Sequence, residues 1–111
     1  RRWIALAVGT MLLGAGQAHA QQSLGIGDPA PKIQVKEFVK GKPVTQFEKG
    51  KNYVVEFWAT WCGPCRTSIP HITKLARQYK DVTFLGVSVW ESDQAMVKPF
   101  VEKMGSEMDY N

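Results

Sequence analysis

Cys62 and Cys65 are the two cysteines of the 111-residue chain, and they stand three positions apart around Gly63 and Pro64. Sulfurs at that spacing come within disulfide reach when the second cysteine falls on the first turn of a helix. The same helix leaves Cys62 at its N-terminus, where unpaired N–H groups and the macrodipole favour a negative charge. A thiolate is stabilised in such a place, and the thiolate is the form that attacks disulfides. The expected chemistry is dithiol–disulfide exchange, with Cys62 the exposed nucleophile and Cys65, one turn in, the shielded resolving thiol. Gly63 and Pro64 make the turn between them, and Pro64 stiffens it while removing one donor.

Other uses of a cysteine pair fit less well. A four-cysteine zinc site needs a second pair, and the chain has only two histidines, His19 and His71. Haem attachment needs a histidine directly after the second cysteine, where Arg66 stands. No metal and no cofactor is implied. A purely structural bridge across so short a loop gains little chain entropy.

The elements that must hold the pair are legible on either side of it. Tyr53-Val-Val-Glu-Phe-Trp58 is nearly all apolar and β-favouring, as expected of a central strand covered on both faces. After the turn, Ile69, Ile72, Leu75, Ala76 and Tyr79 recur at helical spacing, and Lys74, Arg77 and Lys80 suit a helix C-terminus. Val82–Val89 reads as a second buried strand. Strand, helix, strand in this order predicts a parallel pair with a right-handed crossover, hence an α/β fold. A second helix is expected past Trp90, with Ser92 as N-cap, Val97, Phe100, Val101 and Met104 inward, and Gly105 as its stop. Pro99 either kinks it or marks where its regular part begins. Upstream, Lys32–Phe38 alternates polar and apolar residues, Gly41-Lys-Pro43 is a turn signal, and Val44–Phe47 reads as the returning arm of a β-hairpin.

Arg1 and Arg2 precede an apolar stretch of about 13 residues, and Ala18-His19-Ala20 supplies the small residues of a cleavage site. Residues 1–20 are expected to be a signal peptide, 21–31 a lead-in segment and 32–111 the domain. The Arg1-Arg2 pair also hints at a twin-arginine signal. The stretch is short for a membrane span, so membrane anchoring is expected only if the signal stays uncleaved. An apolar content of 44% with 22% charged residues fits a globular chain. The net charge of +4 includes Arg1 and Arg2, and without them twelve basic residues face ten acidic ones. Such a balance gives no ground for nucleic-acid binding.

The run Glu56-Phe-Trp-Ala-Thr-Trp-Cys-Gly-Pro-Cys65, followed by Pro70, resembles the active-site segment of the thioredoxin superfamily. More narrowly, the chain is similar to exported thiol:disulfide oxidoreductases of the TlpA/ResA type, several of which serve cytochrome c maturation. The supporting residues are Gly27-Asp-Pro-Ala-Pro31, Gly41-Lys-Pro43 and Asp81-Val-Thr-Phe-Leu-Gly-Val-Ser88. The resemblance runs from about Gly25 to Gly105. It implies a thioredoxin-like fold carrying an N-terminal β-hairpin extension. It also implies that Cys62 attacks a substrate disulfide and Cys65 resolves the mixed disulfide. Trp61 would be the aromatic flanking the nucleophile, and Pro70 the proline that kinks the helix. Glu56, six residues before Cys62, takes the position of an acid that exchanges a proton with Cys65. A periplasmic or otherwise exported location follows, with protein thiols and disulfides as substrates and a membrane electron-donor protein as partner.

Two departures from the pattern stand out. Ser68 occupies the place where many exported members carry an acid, which leaves Glu56 as the proton-exchanging candidate. The family's cis-proline has no counterpart, since Pro99 follows Lys98 inside a helical pattern. The closing strands and helix of the fold are expected to be missing from this chain, which opens on Arg1 and ends at Asn111. Two other functions remain open at this point. One is a peroxiredoxin-like peroxide reductase, prompted by the Gly27–Pro31 lead-in, and the other an exported binding module with a structural disulfide.

Overall fold

The computed structural model describes residues 23–111, so the expected signal segment and the first residues of the lead-in lie outside it. Five apolar residues bracket the single acid of Asn52–Trp58, and this segment forms strand β1. Helix α1 follows over Gly63–Gln78, and Val82–Ser88 forms strand β2. The two strands pair in parallel, Glu56 opposite Gly86 and Trp58 opposite Ser88. A parallel pair needs a crossover, and α1 supplies it. The α/β architecture expected from the sequence is the one observed.

The amphipathic periodicity of α1 turns Ile69 and Thr73 fully inward. Ile69 joins Trp58, Phe84, Val101, Met108 and Tyr110 in the core, and Ile72, Leu75 and Ala76 pack against its edge. Thr73 is buried without cost because its hydroxyl is used twice. It donates to the carbonyl of Glu107 at 2.7 Å and accepts from the Asp109 N–H at 3.0 Å. Pro70 lies inside α1, as expected, and the helix continues through it.

The second helix departs from expectation in detail. Asp93, not Ser92, caps it: the Asp93 carboxylate accepts from the Ala95 N–H and opens a short 3-10 turn over Gln94–Met96. An aspartate accepts such a bond as well as a serine does. Helix α2 proper then runs Val97–Met104, with Pro99 in its first turn, where its missing N–H would have no intrahelical partner anyway. Gly105 ends it at φ 54°, a backbone conformation that favours glycine.

Two further expectations are corrected. The N-terminal hairpin is not formed, since residues 33–49 contain no strand. Its arms are short and half polar, Pro43 removes a donor from the returning one, and an isolated two-stranded ribbon is marginal in water. The segment is held instead from the far end of the chain. The Lys40 ammonium donates to the carbonyls of Met108 at 2.6 Å and Gly105 at 3.3 Å, and the Lys42 N–H donates to the Asn111 side chain. Strand β1 is also not covered on both faces, because Phe57 is 65% exposed and Val54 39%. The sheet has two strands among the described residues, so one edge and part of one face of β1 stay open.

Candidate active site

Strand β1 ends in a tight turn over Ala59–Cys62, closed by a Cys62 N–H bond to the Ala59 carbonyl at 3.1 Å. Cys62 keeps an extended backbone (φ −78°, ψ 101°) and is the N-cap of α1, with Gly63 and Pro64 following in the first turn. Cys65, three residues on, is disulfide-bonded to Cys62 across a Cα–Cα distance of 5.3 Å. The Cys62 sulfur also accepts from the Cys65 N–H at 3.3 Å. The cap position normally held by a serine or aspartate oxygen is thus held by sulfur, at the positive end of a 16-residue helix. No acidic residue stands in the first turn, and Arg66 follows Cys65. Once the bridge is reduced, this field favours a thiolate on Cys62. Cys65 packs against the core. Trp61, beside Cys62 in the sequence, is 62% exposed.

Several groups that sequence reasoning missed fasten the turn. The Glu91 carboxylate accepts from the Thr60 N–H at 2.7 Å, the Thr60 hydroxyl at 2.6 Å and the Ser88 hydroxyl at 2.8 Å. Trp90, at φ 54°, turns its carbonyl to the Trp61 indole N–H at 3.0 Å. Arg66 donates to the Thr60 carbonyl and lies over the Phe100 ring, 5.4 Å from its centroid. One signal for Glu91 was available: parallel strands bring their C-terminal ends to one edge, so residues just past β2 must face the turn just past β1. Burial disfavours the charge on Glu91, but the Thr60 and Ser88 donors outweigh it and hold the carboxyl below its ordinary range.

A depressed carboxyl lends its stability above the ordinary carboxylate range and loses it as pH falls through the folded-state value. Glu91→Ala should therefore cost about 1–2 kcal/mol at neutral pH, since it leaves the Thr60 and Ser88 donors unpaired. The cost should shrink below about pH 4. Urea unfolding of both proteins at pH 7 and pH 3.5 measures it, and equal costs at the two pH values would contradict the role of the charge.

Glu56 sits on β1 and is linked to α1 through Ser68. It is half-buried, and two hydroxyls hold it. The Tyr110 hydroxyl donates to one carboxylate oxygen at 2.6 Å, and the Ser68 hydroxyl donates to the other at 3.3 Å. Ser68 shares its one hydroxyl proton between that oxygen and the nearer Cys65 carbonyl at 3.1 Å. Pro70 lies further along α1, and His71 is on its exposed side.

A cystine that caps a helix at the end of a parallel strand is an arrangement able to perform dithiol–disulfide exchange. The family model described as Thioredoxin matches residues 33–106, and the chain belongs to the thioredoxin family. It is 30% identical to the thioredoxin-like protein YneN of Bacillus subtilis over an alignment that covers all of this chain and 78% of that protein. It is 33% identical to the thiol-disulfide oxidoreductase ResA of Bacillus thuringiensis, over 77% of this chain and 50% of that one. With the protein FixW of Rhizobium leguminosarum it shares 39% identity over 62% of this chain and 32% of that one. The chain thus spans about a third of FixW and half of ResA. Family and relatives together place this chain in the thioredoxin-like thiol-disulfide oxidoreductase family.

Proposed function

We propose that the chain is the redox domain of an exported reductant of protein disulfides. The observation that carries the reading is the Cys62–Cys65 bridge at the head of α1. In the reduced protein, the Cys62 thiolate attacks a substrate disulfide. A Cys62–substrate bond forms, and the first substrate sulfur leaves as a thiolate. Glu56 takes the proton from Cys65, whose sulfur then attacks Cys62 and expels the second substrate thiolate. The substrate gains two electrons and the protein is left with the Cys62–Cys65 bridge. A second dithiol must reduce that bridge, and in an oxidising compartment a membrane electron-donor protein supplies it.

The Ala18-His19-Ala20 cleavage pattern supports export to a periplasm or equivalent compartment. The match to ResA, a thiol-disulfide oxidoreductase, supports the exchange reaction, and the resemblance to exported oxidoreductases makes cytochrome c maturation the setting to test first. Insulin reduction under dithiothreitol, followed as turbidity, is the direct assay. The chain should accelerate it well beyond dithiothreitol alone. No acceleration would leave the bridge structural, and rapid peroxide consumption by Cys62 would favour the peroxidase reading instead.

A further inference from the structure

Glu56 and Gly86 are opposite each other in the sheet, so the position beside Glu56 on β2 carries no side chain. Tyr110 uses that gap. The Gly86 N–H donates to the Asn111 carbonyl at 2.7 Å, which draws the C-terminal segment along the far edge of β2. The Tyr110 ring then lies so close over Gly86 that a Cβ there would stand 2.9 Å from Tyr110 Cε2. The phenol crosses the strand and ends on Glu56 at 2.6 Å. Tyr110 is 8% exposed. Burial, with the Glu56 carboxyl beside it, holds its proton far above the usual phenol range, so it remains a donor at every working pH. Ser68 completes the arrangement, because its hydroxyl reaches both Glu56 and the Cys65 carbonyl.

We propose that Tyr110 is a positioning residue for the exchange reaction, fixing the Glu56 carboxylate for proton transfer and so setting the rate at which Cys65 resolves the mixed disulfide. The proposal rests on the reading that Glu56 takes the Cys65 proton. Among the described residues Glu56 has two side-chain hydrogen-bond partners, Tyr110 from the C-terminal segment and Ser68 from α1, and the uncharged Gly86 stands opposite it on β2. Glu56 makes no ion pair among the described residues. Tyr110 makes the shorter of the two bonds, so withdrawing it frees the carboxylate to turn and leaves the base out of place for proton transfer.

The test follows Cys65 alone. Reduced protein treated with Ellman's reagent carries a thionitrobenzoate on Cys62, and attack by Cys65 releases it with a colour change. The rate of that release against pH is read by stopped flow. Tyr110→Phe should move the Glu56-dependent rate down by about three- to tenfold. Ser68→Ala, a change at an exposed site, should move it the same way by less. Glu56→Gln should abolish the Glu56 limb of the profile, and adding Tyr110→Phe to it should change nothing further. If Glu56→Gln alters the profile while Tyr110→Phe and Ser68→Ala do not, the proposal is overturned and the role of Glu56 stands. A native profile in Glu56→Gln overturns both. Should Tyr110→Phe fail to fold, an unmoved rate in Ser68→Ala is enough to reject the arrangement.

Discussion

Cys65→Ser should accumulate a one-to-one mixed disulfide with insulin or another disulfide-bearing protein, visible on a non-reducing gel and released by dithiothreitol. Cys62→Ser should trap nothing and lose disulfide exchange by at least about a thousandfold. The asymmetry follows from where the two sulfurs sit. Cys62 caps α1, with the helix N-terminus behind it and an exposed tryptophan beside it. Cys65 lies one turn in and packs against the core. An incoming disulfide meets Cys62 first, and the Cys62 sulfur is the one the helix charges. With Cys65 gone, the mixed disulfide has no internal thiol to resolve it. Equal trapping by the two variants would mean that the roles are shared or reversed.

The largest loss of stability should come from Trp58→Ala, at about 3–5 kcal/mol. Trp58 is 3% exposed, stacks on Phe100 at a centroid distance of 5.1 Å, and is the last residue of β1 before the catalytic turn. Removing it unties strand, turn and α2 together. Domains of this size hold roughly 5–15 kcal/mol in all, so the variant should lose a large share of its stability. Trp58→Phe should behave quite differently. The indole N–H of Trp58 is buried with no hydrogen-bond partner among the described residues. Phenylalanine keeps the stack on Phe100 and deletes that unpaired donor, which offsets part of the lost volume. Its cost should stay below about 1.5 kcal/mol. Urea unfolding followed by circular dichroism compares the two, and similar costs would show that a phenyl ring does not replace the indole there.

The pair of cysteines, the strand before them and the helix after them were legible because each depends on neighbours within a few residues. Apolar runs made β1 and β2, helical spacing made α1, and the order of the three dictated parallel pairing. The hairpin expectation failed for a related reason. Alternation in Lys32–Phe38 is a local signal, but a strand needs a partner, and no stable one lies nearby in sequence. What local signals could not reveal are the contacts made across long stretches of chain. Tyr110 meets Glu56 across 54 residues, and Glu91 meets Thr60 across 31. Nothing around Tyr110 marks it as a neighbour of the active site. It becomes one only because Gly86 leaves room for a ring.

The Lys40 ammonium has a consequence for the order in which the chain assembles. Its two acceptors, the carbonyls of Gly105 and Met108, lie 65 and 68 residues downstream. Closing so long a loop costs entropy before any contact is gained. The β1–α1–β2 unit needs no such closure. It can form first, receive the C-terminal segment through Thr73 and Gly86, and only then present those carbonyls. The N-terminal arm is therefore the last part of the domain to find its place and the first to leave it. Hydrogen exchange should grade the molecule in that order, fastest in residues 33–49 and slowest where β1 meets β2.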